Sequence, residues 1–381
     1  MKMNKETKRA VVLSALLISL VLLAVTLRHT LSEEDRRSVQ VQEQIIDTTR
    51  QDIVFILGDD YKGNTFYTEA EHFYRYNEKY RAEHLVTHCR SLLEMRNYLE
   101  DHAPTNGLPW GRVEAVVHSN QWEGMSLSVV PEGPRTTTEN LQIAMERSYV
   151  KPLPKKVLDS RSELLFYACG LGNNEALLDK LSACLSSEGE TVPVYSPKQF
   201  VYFTSETYED MPYNTQRYVA DFWQTHYPSY YHPGDYVLAR QLNQSYNEEG
   251  LAFSKALERE VPRFPGDSFH MEFKIPVVWY VTYEEDDMRP DLSEKDKELE
   301  WLYDQEDLVA KIHGLGFDLE DFRWTTRKAR YTYDDGYEDP AIKAIGYCSI
   351  VTVLRPVVEE VGGEAFVPAL NDSRYFGASK G

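Results

Sequence analysis

The sequence predicts an α/β fold built on a mostly parallel sheet, followed by an α+β region and preceded by a transmembrane helix. Three observations carry this expectation. Asp52-Ile53-Val54-Phe55-Ile56-Leu57, Val113-Glu114-Ala115-Val116-Val117 and Glu163-Leu164-Leu165-Phe166-Tyr167-Ala168 are short, largely apolar runs with turn or polar residues after them. Runs of this length read as strands buried on both faces, as the strands of a parallel sheet are. Segments of helical periodicity separate them, which is the alternation an α/β sandwich requires. Beyond about residue 215 the character changes to Tyr- and Trp-rich stretches with longer strand candidates.

Taken in order, Ser32 to Gln51 is polar and charged and reads as a spacer. The first strand closes at Gly58-Asp59-Asp60. Glu83 to Leu99 places Leu85, Cys89, Leu92, Leu93, Met95 and Leu99 at roughly helical spacing, predicting one amphipathic helix. The second strand runs into His118-Ser119, and Met125 to Val130 alternates as a small hairpin would. Thr138-Glu139-Asn140-Leu141 opens a helix. The third strand runs into Cys169-Gly170-Leu171-Gly172, followed by a helix from Asn174 to Leu185 capped by Asn173 or Asn174. Val192 to Ser196 is expected as the last strand of this sheet. In the second half, Lys274 to Val281 and Tyr347 to Leu354 are strand candidates, and the charged segment Glu284 to Leu308 suggests a surface helix. The expected divisions are an anchor at 1–30, a spacer at 31–51, an α/β domain at 52–215 and an α+β region at 216–381. Whether that last region extends the first sheet or stands apart is open at this level.

Ala10 to Leu27 is an uncharged, apolar run of 18 residues, at the lower edge of what spans a bilayer. Lys2, Lys5, Lys8 and Arg9 precede it, against Arg28, Arg36 and Arg37 after it, which favours a cytoplasmic N-terminus. A single-pass membrane protein with an extracytoplasmic globular part is expected, the bilayer contacting residues 10–27. A secreted chain after signal cleavage is the alternative.

With 42% hydrophobic and 12% aromatic residues the chain can build packed cores. Its net charge of −20 argues against nucleic-acid binding, which needs an excess of Lys and Arg, and suits a positively charged partner. The four cysteines (Cys89, Cys169, Cys184, Cys348) show no CxxC spacing, so no zinc ribbon or thioredoxin motif is present. Cys89 and Cys184 both fall on expected helices. His84 and His88 stand four apart on the helix expected there, but lack a third ligand of clear spacing and read as a solvated face. Asp334-Asp335-Gly336-Tyr337-Glu338-Asp339 lacks the ligand positions of an EF-hand and reads as an acidic turn. The aromatic stretch Tyr213 to Tyr236 reads as core packing rather than a peptide surface.

Ligand sites of parallel sheets lie beyond the carboxyl ends of the strands, so a His and a Cys both placed there are a candidate nucleophile–base pair. His118 and Cys169 stand 51 residues apart, close to the roughly 50 between the caspase His and Cys. In the order Gly58-Asp59-Asp60, His118 and Ala168-Cys169-Gly170, each at a strand end, the chain resembles the caspase-like (clan CD) cysteine peptidases. Their bacterial members also resemble it in the Gly and strand that follow the His, here Gly124-Met125-Ser126-Leu127. The resemblance covers about 150 residues. It departs in Ser119, where the family has Gly, and in Tyr167, where basic-specific relatives carry an acid.

The resemblance implies a three-layer sandwich and an endopeptidase, which the apolar run at 10–27 would anchor to the membrane. Cys169 would attack the peptide carbonyl, His118 would protonate the leaving amine, and the backbone N–H groups of Ser119 and Cys169 would hold the oxyanion. Gly170 and Gly172 would admit the substrate backbone, Asp59 and Asp60 would line a pocket for a substrate Lys or Arg, and no metal or organic cofactor is required. Two alternatives stand beside this: a catalytically inactive module of the same fold that binds a protein or peptide partner, and a hydrolase on an unrelated α/β scaffold.

Overall fold

The computed structural model describes residues 50–380 apart from 62–63, 188, 247–249, 263, 265, 334–335 and 360–363. The expected membrane segment at 10–27, the spacer up to 49 and the first two residues of the acidic turn therefore lie outside the described residues. No helix among the described residues is long and apolar enough to cross a membrane.

The chain order is β1 (Ile53–Ile56), α1 (Phe66–Tyr76), β2 (Leu85–Val86), α2 (Leu92–Asp101), β3 (Arg112–Val116), β4 (Ser119–Asn120), β5 (Gly124–Ser128), β6 (Arg135–Thr136), α3 (Thr138–Glu146), β7 (Glu163–Tyr167) and α4 (Glu175–Leu185). It continues through β8 (Val194–Pro197), β9 (Phe200–Tyr208), β10 (Met211–Pro228), α5 (Asp235–Ser245), α6 (Phe253–Leu257) and β11 (Phe269–Thr282). It closes with α7 (Lys295–Tyr303), α8 (Glu306–Gly314), β12 (Arg323–Thr332), β13 (Glu338–Pro356) and β14 (Phe376–Ala378).

A six-stranded sheet in the order β14-β8-β7-β3-β1-β2 forms the centre. Its strands are parallel except β14, which runs antiparallel to β8. Each apolar run feeds both faces. Ile53, Phe55, Leu164 and Phe166 pack into one core with residues of α2, α3 and α4, while Val54, Ile56, Leu165 and Tyr167 pack with α1, β9 and β10 on the other. This double burial is why these strands are unbroken rather than alternating, and each enclosed Phe or Leu contributes roughly 1.5–3 kcal/mol of transfer free energy.

The second half makes a five-stranded antiparallel sheet in the order β11-β13-β10-β9, with β12 also paired to β13. Helices α7 and α8 cover Ile275, Val277, Ile342 and Ile350, while α5 and α6 cover Trp223, Tyr227, Val351 and Val353. Positions 215 and 216 fall inside β10, and β14 rejoins the first sheet, so residues 52–381 form one compact unit. The later region thus both extends the first sheet and builds its own.

Two local expectations need correction and a third, the choice of cap for one helix, is resolved. The stretch from Glu83 is not one helix: Leu85–Val86 pairs with β1, and the helix starts only at Leu92. Ser91 accepts from the Glu94 amide while the Glu94 carboxylate accepts from the Arg90 amide, a local cap that outweighs the helical spacing further back. His84 and His88 consequently flank a strand and share no helix face, and Cys89 precedes the helix. The strand at Val194–Pro197 is not the last of its sheet, because β14 pairs outside it. The helix at Glu175–Leu185 starts with Asn174 capping the Leu177 amide.

Candidate functional site

The register of the central sheet brings the two singled-out residues level. β3 and β7 are parallel neighbours with Val116 opposite Tyr167, and two residues further along each chain stand His118 and Cys169. Gly58-Asp59-Asp60 ends β1 on the other side of β3. Three strand ends thus lie side by side where a parallel sheet places ligands.

His118 is held by the start of α1. Its ring stacks on Phe66 at 4.4 Å between centroids and meets the edge of Tyr67 at 4.7 Å. Its backbone N–H donates to the Tyr67 hydroxyl at 3.0 Å. The Tyr67 ring sits hard against Gly58, where an added Cβ would fall 2.2 Å from it, so any side chain there would have to displace that ring. The Asn64 amide nitrogen lies 3.2 Å from Nε2. An amide nitrogen only donates, so Nε2 is the acceptor and the proton sits on Nδ1. Burial pushes the imidazole down to about 4, against the opposing pull of the Asp60 carboxylate.

This shift sets a pH dependence. The folded imidazole takes a proton near pH 4 and the unfolded one near 6.5, so the unfolded chain binds more protons below 6.5. The stabilisation is complete above about pH 6.5 and is lost as the pH falls towards 4. At pH 5 the expected loss is about 1 kcal/mol, less than the ~2 kcal/mol of a fully enclosed ring. Urea midpoints of the parent and His118→Leu at pH 7 and pH 5 check it: the parent should lose this increment and the variant should not.

Cys169 is 7% exposed, within an apolar group of Phe200, Ala220, Phe269 and Leu354 contributed by the antiparallel sheet. Its thiol donates to the Val201 carbonyl at 3.4 Å and accepts from the Val201 N–H at 3.5 Å. Desolvation dominates over that accepted bond and pushes the thiol up to about 11. Near neutral pH both members of the pair are therefore uncharged. About one thiol in 10⁴ is ionised at pH 7, and the arrangement holds no ready thiolate.

The accessory residues are placed with equal definition. Ser119 opens β4 opposite Met125, and its hydroxyl is buried with no partner among the described residues. The turn after it is pinned by Asn120, whose carbonyl oxygen accepts from the Trp122 and Glu123 amides. The Trp122 indole reaches across to donate to Leu315 O at 3.0 Å, tying this turn to the helical layer of the second sheet. Asp60 accepts from the Tyr67 and Thr68 amides at 2.9 and 2.8 Å, capping α1. Asp59 takes both a 2.7 Å and a 2.5 Å bond from Arg90. A polar cavity of about 240 Å³ adjoins these two acids, with Thr68, Glu71, Thr87 and Arg90. Arg90 stands where a substrate's basic side chain was expected. Gly170 turns the chain at φ 68°, whereas Gly172 faces the chain's own β8 and β14, not a substrate.

Among the described residues no three His, Cys, Asp or Glu side chains gather to hold a metal, and all four cysteines are free and buried. No local pattern in the sequence marks Asn64, Phe66, Tyr67, Trp122 or Val201. No protein-family model, curated protein or solved structure matches this chain.

Proposed function

We propose that this chain is a caspase-like α/β module that binds a protein or peptide partner and does not hydrolyse it. The adjacency of the His118 and Cys169 strands supports the family resemblance, which requires those strands side by side. The observation that carries the non-hydrolytic reading is the closure of Cys169, whose sulfur is taken by the Val201 backbone beneath apolar side chains. The module is held at the outer face of a membrane by residues 10–27.

The levelled strand ends favour one second reading, a cysteine endopeptidase in which β9 lifts off, Cys169 attacks and His118 protonates the leaving amine. Iodoacetamide labelling of the full chain, read at each of the four cysteines by mass spectrometry, separates the two. Cys169 at pH 7 should label about 100-fold more slowly folded than in urea, since raising the pKa from 9.0 to about 11 lowers the thiolate fraction by about that factor. The rate should not change in His118→Ala. Fast, selective labelling of folded Cys169 that slows in His118→Ala would overturn the non-hydrolytic reading in favour of the peptidase.

A further inference from the structure

We propose that the outer edge of β10 at residues 222–226 is a strand-addition site for an extended, basic segment of a partner polypeptide. This rests on the partner-binding reading and names where the partner docks.

The register defines the edge. The Val357 amide bonds Val219 O and the Ser229 amide bonds Tyr347 O, so the odd residues of β10 direct their backbone groups to β13. The even residues point the other way. Up to Ala220 they meet β9, but β9 begins at Phe200, opposite Ala220, and no strand follows beyond it. Phe222, Gln224 and His226 therefore present backbone N–H and C=O groups to an open edge. Among the described residues only one of these groups is used, the Gln224 carbonyl, which accepts from the Tyr246 hydroxyl at 3.3 Å.

The other edges of this sheet carry, at particular positions, protection of the kind that keeps edges from pairing with foreign chains. On β12 the outward Trp324 carbonyl accepts from Lys295, and the outward Thr326 amide donates to Glu298 at 2.7 Å. On β11 the outward position 276 is proline, and the His270 amide is taken by Arg259 O. On β9 the outward Val201 groups are taken by the Cys169 thiol. Along 222–226, five of the six outward backbone groups have no partner among the described residues, and at Thr225 and His226 the edge opens into a cavity of about 470 Å³.

The cavity walls indicate the occupant. Successive residues of an added strand point to opposite faces. On one face His226 is paired with Asp321 at 3.1 Å, a carboxylate that a Lys or Arg of the added strand would meet. On the other face stand the side-chain amides of Gln241 and Gln244, and the strongly exposed Tyr230 and Tyr231 close the end. Backbone pairing supplies affinity and alternate side chains supply selectivity, as in other strand-addition sites. The net charge of −20 favours the basic partner further.

The test uses the full chain and two fluorescein-labelled peptides, Thr-Val-Lys-Val-Lys-Val-Thr and its counterpart with Glu at both Lys positions, followed by anisotropy. The Lys peptide should bind saturably below ~1 mM and about fivefold more tightly than the Glu peptide, the worth of one exposed charge pair. His226→Pro removes an outward N–H while leaving the odd-residue bonds to β13 intact, and should weaken binding about tenfold. His226→Ala keeps the N–H and should stay within about threefold of the parent. Asp321→Lys should reverse the preference between the peptides, and it serves if the proline variant does not fold. Absence of saturable binding, binding undiminished by His226→Pro in a folded protein, or equal affinity for both peptides overturns the site. Fast Cys169 alkylation with intact peptide binding would reject only the non-hydrolytic reading; slow alkylation without binding would reject only this site.

Discussion

Replacing Arg217 by Met is expected to destabilise the folded chain by about 3–5 kcal/mol, because it strands a buried carboxylate. Arg217 comes from β10 and Glu114 from β3, and their side chains are 10% and 14% exposed at a separation of 3.7 Å. The Tyr74 hydroxyl joins them, donating to Glu114 at 2.5 Å and accepting from Arg217 at 3.1 Å. Burial and the neighbouring Glu114 hold that hydroxyl well above its usual pKa, so it remains a donor. The guanidinium also lies 4.1 Å from the Tyr167 ring centroid and 5.2 Å from that of Phe73. These contacts clamp the antiparallel sheet onto the parallel one. The drop in urea midpoint at unchanged slope measures the cost, and a change under ~1 kcal/mol would mean that solvent reaches Glu114. Removing both charges and the hydroxyl between them, in Glu114→Leu with Arg217→Met and Tyr74→Phe, should recover most of the loss, since apolar groups need no partner.

Gly172→Ala should cost about 3 kcal/mol or more, the upper end of overpacking effects. An added Cβ would lie 2.3 Å from Ser196 O, 2.8 Å from Pro197 C and 2.9 Å from Gly377 N. All three are backbone atoms of β8 and β14, which cannot rotate away as a side-chain tip can. The expected local consequence is release of β14, the outermost strand. Hydrogen exchange at Gly377 and Ser379, whose amides face β8, should accelerate before the rest of the sheet does, and unchanged protection there would contradict the packing argument.

These two variants also mark the boundary of what could be read along the chain. The runs at Ile53, Val113 and Glu163 were recognisable because a strand buried on both faces must be apolar throughout over a short length. Glu114 stood out within such a run but carried no sign of its partner, which lies more than a hundred residues later on β10. β14 has three residues, Phe376–Ala378, too few for any periodicity, and it exists because β8 offers an edge. The sequence extends the helix at Leu92 too far back because Leu85 and Cys89 fit a helical spacing by coincidence. Leu85 is drawn into a strand by the neighbouring edge of β1 instead.

The candidate site divides in the same way. Local patterning was enough to put His118 and Cys169 at strand ends, because apolar run length and the turns after each run are properties of adjacent residues; that their strands are neighbours is decided by the sheet order. Whether the sulfur is open to a substrate is a different kind of question. It depends on Phe200, Ala220, Phe269 and Leu354, which meet around Cys169 only when the second sheet docks. Desolvation is the sum of what surrounds a group in space, so the rise of the Cys169 pKa and the fall of the His118 pKa belong to the tertiary structure alone. The uncovered edge of β10 has the same origin: backbone groups become available or hidden through strand register, which no single segment of the chain encodes.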